Sequence, residues 1–227
     1  MITYTNEDCM ELMKRYKDNH FDLAIVDPPY GINVNISMGR RKNDIKSDYH
    51  KFHGGDVEPP QESYFKELER VSKNQIIWGA NYFIDKLQNP NSKNWIVWDK
   101  LFSNNVSFAS AELAWSNLDS TVKIYRQSPN SSNRIHPTQK PVALYKWLLN
   151  NYAKQGDLIL DTHVGSASSL IACYDLGFDA VACELDKDYY NESNKRLDYF
   201  MKQPKIVDIP ADVYEQIELG RPDYTRT

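Results

Sequence analysis

The chain has 227 residues, of which 41% are hydrophobic and 26% charged, and its formal net charge is −4 at pH 7. This composition is sufficient for one α/β domain with a hydrophobic core and argues against a low-complexity chain. No stretch approaches the roughly 20 apolar residues of a membrane span, and the N-terminus lacks a signal pattern, so we expect a cytoplasmic protein without membrane contact. The three cysteines, Cys9, Cys173 and Cys183, lack metal-ligand spacing and indicate free thiols and no metal site.

Strands and helices alternate along the first half of the chain. Residues 21–26 form a continuous apolar run that predicts a buried strand, which the prolines of Asp27-Pro28-Pro29-Tyr30 terminate. A helix is predicted over 60–71, followed by short strands over 75–79 and 95–99. The segments 112–115 and 122–125 are predicted to pair with each other as an antiparallel hairpin at the edge of the sheet.

The second half continues the same alternation. A helix over 141–152 precedes a strand over 158–161, a turn containing Gly165, a helix ending at 176, a strand over 180–184 and a helix over 187–200. The pattern predicts a doubly wound, mostly parallel α/β sheet, as in Rossmann-like folds, with an antiparallel edge hairpin. We expect one domain over 1–203 and a C-terminal arm over 204–227.

Asp27, Pro28, Pro29 and Tyr30 are the sharpest chemical signal. They follow a buried strand at its carboxyl end, where open α/β sheets bind ligands. An exocyclic base amine is a poor nucleophile because its lone pair is delocalised into the ring. The Asp27 carboxylate and the Pro28 carbonyl are suited to accept both amine hydrogens and so localise that lone pair, and Tyr30 offers a flat face for a base outside the duplex.

A second ligand site is indicated around the strand that ends at Asp161. The turn after it contains Gly165 and Ser166 but matches neither a dinucleotide fingerprint nor a phosphate-binding loop. Glu184 ends the following strand, where an acid typically accepts hydrogen bonds from ribose hydroxyls. This arrangement suits a nucleoside ligand without a pyrophosphate, such as S-adenosylmethionine (SAM).

The motifs together resemble the DNA amino-methyltransferases, whose catalytic motif is (D/N/S)PP(Y/F). The chain is similar to this family to about residue 200, and it carries HPTQKP over 136–141 and the SAM strand after the catalytic motif, the permuted order of the β class. The resemblance implies a circularly permuted class I methyltransferase that uses SAM, and DPPY usually accompanies N6-adenine. It also implies the biological settings of the small members, namely phage or restriction–modification systems with a cognate restriction endonuclease.

The resemblance also implies individual roles. An acid after the first strand contacts the SAM adenine, and the segment 136–141 lies beside the methionine part. Lys140, or the side chains of Thr138 and Gln139, hold the SAM carboxylate, and Asp161 holds the amino group. The implied SAM-binding residues are Asp8, Cys9, Asp27, His136, Thr138, Gln139, Lys140, Asp161, His163, Gly165, Ser166, Glu184 and Asp186. The chain departs from the family at His163, often a hydrophobic residue, and at Ala167, often a second glycine.

No separate recognition domain fits between the predicted strands and residue 136. The candidate DNA-recognition insertions are 31–59 and 100–135, and the first carries the basic residues Arg40, Arg41, Lys42 and Lys46, which we expect to contact DNA. So small a reading surface indicates a short recognition site or a homodimer that shares the work.

Three alternatives remain open from the residues alone. The first is an N4-cytosine DNA methyltransferase, since the two amines are chemically similar. The second is an RNA or protein methyltransferase, although those families usually carry NPPY in unpermuted order. The third is a non-catalytic DNA- or SAM-binding protein, which the intact Asp27 and Tyr30 disfavour.

Overall fold

A computed structural model describes residues 1–32, 56, 58–102, 109–129, 135–136 and 138–203. Within them, eight strands form one sheet: β1 (Ile2–Asn6), β2 (Phe21–Val26), β3 (Ser72–Trp78), β4 (Asn94–Asp99), β5 (Ala111–Ser116), β6 (Lys123–Arg126), β7 (Leu158–Asp161) and β8 (Asp179–Glu184). The helices are α1 (Cys9–Lys14), α2 (Glu62–Val71), α3 (Val142–Tyr152), α4 (Ser168–Leu176) and α5 (Lys187–Met201), with short 3-10 helices at Ala80–Tyr82 and Ile84–Lys86.

The strand order across the sheet is β1-β8-β7-β2-β3-β5-β4-β6. The five strands from β1 to β3 in this order are parallel neighbours. β5 runs antiparallel to both β3 and β4, and β6 lies parallel to β4. The predicted doubly wound, mostly parallel sheet with an antiparallel component near one edge is therefore confirmed.

The pairing proposed for the antiparallel part is wrong. The segments 112–115 and 122–125 do not pair with each other: β5 lies between β3 and β4, and β6 follows on the far side of β4. The physical reason is burial. Ala114 and Trp115 of β5 are buried, as befits an inner strand, whereas Ile124 of β6 is 50% exposed at the sheet edge.

The core explains why the sheet is covered on both faces. Along β2, Leu23 and Ile25 pack into a cluster with α3, α4 and α5, whereas Ala24 and Val26 pack on the opposite side with α1 and α2. Successive side chains of a strand point to opposite faces, so an uninterrupted apolar run is what a strand buried on both faces requires. β3 begins three residues earlier than predicted because Ser72, Lys73 and Asn74 pair with β2 without an apolar signal.

None of the described helices is long and apolar enough to cross a membrane. The three cysteines are free thiols. Within the described ranges, no three His, Cys, Asp or Glu side chains are grouped so that they could hold a metal ion.

Candidate active site

The three predicted carboxylates lie along one edge of the sheet. Asp27 directly follows β2, Asp161 ends β7 and Glu184 ends β8, and these strands are neighbours in the order β8-β7-β2. Parallel strands present their carboxyl ends at the same edge, where open α/β sheets bind ligands. Burial raises the pKa of Asp161, and the negative charges of Asp27 and Glu184 add to that shift, as expected for groups in one site.

Both oxygens of the Asp27 carboxylate already have a partner. The Tyr30 hydroxyl donates to Oδ1 over 2.6 Å, and the Lys140 ammonium donates to Oδ2 over 2.6 Å. The same ammonium lies 2.9 Å from Oε2 of Glu112, and the Lys140 side chain is only 2% exposed. Lys140, predicted to hold the SAM carboxylate, is thus placed between two carboxylates of the chain itself.

Glu112 links this group to a second lysine. Its Oε1 lies 2.6 Å from the Lys100 ammonium, which in turn lies 5.3 Å from the centre of the Trp98 ring. Burial would raise the pKa of Glu112, but the two ammonium groups overcome this effect and lower the pKa to about 2. Burial raises the pKa of Asp27, and the positive charge of Lys140 opposes that shift.

The Tyr30 ring packs against Gly79 and Tyr82. Gly79 has a φ of +71°, and a Cβ at this position would lie 2.1 Å from Cε1 of Tyr30, so only glycine allows this close packing. The Tyr82 ring stacks on the Tyr30 ring with centroids 5.3 Å apart and an interplanar angle of 16°. Tyr82 is 45% exposed and therefore presents a flat aromatic surface at the mouth of the site.

The backbone after Pro29 is fixed from outside the motif. The Asp56 carboxylate accepts hydrogen bonds from the backbone N–H groups of Tyr30, over 2.6 Å, and Gly31, over 2.8 Å. Gly31 and Asp56 both belong to the predicted insertion 31–59, on either side of its basic residues in the sequence. These two described residues therefore lie beside the turn that follows β2.

Glu184 is buried and oriented by backbone donors. Its Oε2 accepts from the N–H of Gly165 over 2.9 Å, and its Oε1 accepts from the N–H of Asp186 over 3.0 Å. Each carboxylate oxygen keeps a further lone pair, so Glu184 can still accept ligand hydroxyls. Asp186 caps α5 through its side chain, and Leu185 between them is 63% exposed and offers an apolar surface to a ligand.

The end of β7 and the turn after it contain a buried acid, a neutral histidine and an alanine with positive φ. Asp161 is 3% exposed and accepts the Ser169 hydroxyl over 2.5 Å and the His163 N–H over 3.0 Å. Burial raises the pKa of Asp161 to about 7 and lowers that of His163 to about 4, so the His163 ring is neutral. Ala167, where the family often has glycine, adopts a φ of +61°, a conformation that is strained for alanine.

The carbonyl of Ser166 in this turn accepts a hydrogen bond from the Arg196 guanidinium on α5, which also donates to Ser168 over 3.1 Å. This contact ties the turn to the last helix. Ser166 itself is buried. Its hydroxyl is hydrogen-bonded to that of Ser168 over 3.1 Å, so both its backbone and its side chain have partners within the protein.

The segment that contains His136 lies against the same turn. The His136 ring is within 3.9 Å of the position that a Cβ on Gly165 would take, and its centroid is 4.4 Å from that of Tyr189. Thr138 is exposed and bonds His136 Nδ1 through its hydroxyl over 3.0 Å. Gln139 is buried and accepts the N–H of Ile135, which is a structural role.

Asp8 and Cys9 begin α1 on the far side of β8. The Asp8 carboxylate caps the helix by accepting the N–H of Met10 over 2.7 Å, and burial raises the pKa of the Cys9 thiol to about 12. Cys9 therefore remains a neutral thiol, which suits a packing role rather than a chemical one.

The predicted DNA-contacting residues Arg40, Arg41, Lys42 and Lys46 lie outside the described residues, as does the predicted C-terminal arm over 204–227. Two parts of the second candidate insertion, residues 103–108 and 130–134, also lie outside them. Sequence reasoning missed Glu112, Lys100 and Gly79. The available signal for Glu112 was its alternation with Ala114 in a strand, which places an acid on the core-facing side.

Comparisons with known proteins find similarity to DNA methyltransferases. The N6/N4 methyltransferase family, described as DNA methylase, matches residues 85–195. The type II methyltransferase M.HpaI of Haemophilus parainfluenzae is 35% identical over 69 residues, which are 30% of this chain but only 22% of that protein. The putative methylase YubD of Escherichia coli K12 is 23% identical over 212 residues, covering 87% of this chain and 90% of YubD.

Solved structures share the fold. The M1.HpyAVI–SAM complex superposes with a TM-score of 0.60 at 20% identity, covering 87% of this chain and 99% of that one. The cytosine-N4-specific PvuII DNA methyltransferase superposes with a TM-score of 0.60 at 13% identity, covering 97% of this chain and 93% of that one. The fold is that of the class I SAM-dependent methyltransferases. Within that class, the chain is similar to the N6/N4 DNA methylases, whose family model matches just under half of its length.

Proposed function

We propose that this chain transfers the methyl group of SAM to an exocyclic amine of a flipped base in DNA, with N6 of adenine as the target. The observation that carries this proposal is the fixed Asp27 carboxylate on the same sheet edge as Asp161 and Glu184. Direct methyl transfer requires that two bound substrates lie close together. An acceptor for the amine and a nucleoside site on neighbouring strands meet this requirement.

The chain supplies orientation and hydrogen-bond acceptors for this reaction. Asp27 and the carbonyl of Pro28 accept the two amine hydrogens, so the nitrogen lone pair turns towards the methyl group. SAM supplies an electrophilic methyl group on a sulfonium. As the nitrogen–carbon bond forms, the methyl–sulfur bond breaks and its electron pair stays on sulfur. The amine then loses one proton, and the Asp27 carboxylate lies in position to accept it.

The residues at the ends of β7 and β8 fit SAM. Glu184 has free lone pairs for ribose hydroxyls, and exposed Leu185 offers the adenine an apolar face. The neutral His163 ring adds no positive charge beside a cationic sulfonium. Asp8, His136, Thr138 and Gly165 complete the proposed pocket, with Cys9, Gln139, Ser166 and Asp186 as its structural frame.

Replacing Glu184 by glutamine should weaken SAM binding by about 10- to 100-fold, since a charged acceptor for the ribose hydroxyls is lost. Isothermal titration calorimetry with SAM measures this change. The matched control is Glu69→Gln, which alters an exposed glutamate on α2 and should leave the affinity unchanged. Equal affinities in both variants and the wild type would remove Glu184 from the ribose site.

SAM affinity should also fall as the pH drops below 7. Burial, opposed by the Ser169 and His163 hydrogen bonds, raises the pKa of Asp161 to about 7. A bound SAM ammonium favours the ionised carboxylate, so binding is strongest above pH 7, weakens as Asp161 becomes protonated, and releases protons near neutrality. Titrations between pH 6 and pH 8 test this, and the pH dependence should disappear in Asp161→Asn. A flat wild-type profile would contradict the proposed role.

DNA contact is proposed for the basic insertion. Gly31 and Asp56, which stand on either side of its basic residues in the sequence, lie at the turn after β2, where Asp56 accepts from the N–H groups of Tyr30 and Gly31. Arg40, Arg41, Lys42 and Lys46 lie between these two residues in the sequence, and phosphate contacts from such residues are strongly salt-dependent. With so few residues available for reading, a homodimer is a proposed means of enlarging the DNA contact.

N4 of cytosine is the second candidate target. The PvuII enzyme, named as cytosine-N4-specific, has the same fold, and the two amines present the same lone-pair problem to Asp27. DPPY favours adenine by resemblance alone. The proposed setting is a bacterial or phage-infected cytoplasm, with a cognate restriction endonuclease as the proposed partner.

Expression in a host that lacks adenine methylation, followed by single-molecule sequencing of its DNA, tests the proposal. N6-methyladenine within a recurring short motif is the expected result. N4-methylcytosine instead would move the target to the second candidate. Unmodified DNA from cells that contain folded, SAM-binding protein would overturn methyl transfer to DNA.

A further inference from the structure

Glu112 has a position in the site that core packing does not explain. Ala114 and Trp115, further along β5, are buried core residues, whereas the Glu112 side chain is 20% exposed and binds two lysines. One carboxylate oxygen faces Lys100 over 2.6 Å and the other faces Lys140 over 2.9 Å. A buried carboxylate is costly unless it is paired and hydrogen-bonded, and here both oxygens are paired.

The reaction makes opposing demands on Lys140. Its ammonium opposes the burial that raises the pKa of Asp27, so it favours the ionised carboxylate that the amine needs. The same ammonium occupies Oδ2 of Asp27 over 2.6 Å, while Tyr30 occupies Oδ1. If Asp27 were its sole partner, an incoming neutral amine would have to displace a buried cation that had nowhere else to go.

We propose that Glu112 is a positioning residue for Asp27: it anchors the Lys140 ammonium, so that Oδ2 of Asp27 can turn to the target amine while the cation stays in the pocket. This inference rests on the proposed methyl transfer. Lys100 completes the arrangement by neutralising Glu112, which leaves two carboxylates and two ammonium groups with no net charge.

The charged groups around Asp27 determine in which direction each substitution shifts its pKa. Glu112 on β5 and Asp161 on β7 are negative, and Lys140 is the positive group in direct contact. The hydroxyls of Tyr30 and of Tyr145 on α3 are neutral, because burial raises both of their pKa values. Removing the charge of Glu112 therefore lowers the pKa of Asp27, and removing that of Lys140 raises it.

Single-turnover rates over a range of pH, on a duplex carrying the motif found by sequencing, test the proposal. In Glu112→Gln the rate should fall by about 10- to 100-fold because Asp27 and Lys140 no longer separate readily. The acidic limb of its pH profile should move down by about one unit, whereas in Lys140→Met it should move up by one or two. Glu112→Asp should recover the wild-type limb. A merely structural role would lower activity without opposite shifts.

SAM affinity and thermal melting separate this inference from the proposed function. Both single variants should bind SAM as the wild type does, which would also exclude Lys140 from the SAM carboxylate site. If Lys140→Met does not fold, the shift of the acidic limb in Glu112→Gln is sufficient to test the proposal. A folded Glu112→Gln protein whose acidic limb stays in place or moves up would overturn the proposal. Absence of methylation by the wild type would overturn the proposed function instead.

Discussion

Asp27→Asn should reduce the single-turnover rate of methyl transfer by at least about 10³-fold, while SAM affinity is retained. The substitution keeps the shape of the side chain but puts an amide where the amine needs a charged acceptor. One position of that amide is a donor. At the Oδ2 position it would face the target amine or the Lys140 ammonium, and at the Oδ1 position it would face the Tyr30 hydroxyl, which now donates to Asp27 over 2.6 Å. The acceptor matters mainly while positive charge develops on the nitrogen, so the loss should appear in the chemical step.

The stability of the variant should remain close to that of the wild type. Burial already raises the pKa of Asp27, so losing its charge removes an unfavourable buried ion, and Lys140 keeps Glu112 as a partner. Asp119→Asn is the matched control, since Asp119 is an exposed residue whose Lys93 partner is also exposed. A single-turnover rate within tenfold of the wild type would contradict the catalytic role of Asp27.

Local sequence patterns predicted the parts of the site that lie at the end of a strand or directly after it. Asp27 follows an apolar run that proline ends, and Asp161 and Glu184 each end such a run, so their common sheet edge follows from strand direction alone. The same logic predicted the order of helices and strands. These predictions were possible because each apolar run, and the residue that ends it, lie within one strand and the turn that follows it.

The contacts that fix the Asp27 carboxylate could not be predicted in this way. Glu112 reaches Lys140 because β5 inserts antiparallel between β3 and β4, and the sequence favoured a hairpin of 112–115 with 122–125 instead. Neighbouring segments pair often, but the burial of Trp115 selects an inner position for β5. With the wrong partner assigned to this strand, its acid could not be placed near Asp27.

Lys140 shows a related difficulty. The HPTQKP resemblance associated it with SAM, and a lysine in a turn is most simply interpreted as a ligand for an anion. Its 2% exposure and its two carboxylate partners depend on three separate segments of the chain meeting. A long, flexible side chain can point in several directions from one backbone position, so sequence spacing alone does not decide which carboxylate it contacts.

Gly79→Ala should inactivate the protein and lower its free energy of unfolding by about 2 to 5 kcal/mol. Gly79 has a φ of +71°, and an added Cβ would lie 2.1 Å from Cε1 and 2.3 Å from Cδ1 of Tyr30. The ring must then move, although it donates to Asp27 over 2.6 Å and stacks on Tyr82. Chemical denaturation and single-turnover assays well below the melting temperature measure the two effects separately.

Gly177→Ala separates backbone strain from the clash with Tyr30. Gly177 has a φ of +77°, but a Cβ there would meet nothing within 4 Å, so this variant experiences the strain of the left-handed conformation alone, about 1 to 2 kcal/mol. It should methylate DNA at the wild-type rate. If Gly79→Ala loses no more stability than Gly177→Ala and retains its single-turnover rate, the close packing of Tyr30 on Gly79 is not required. The larger loss in Gly79→Ala would instead show that the turn after β3 determines where the Tyr30 ring lies.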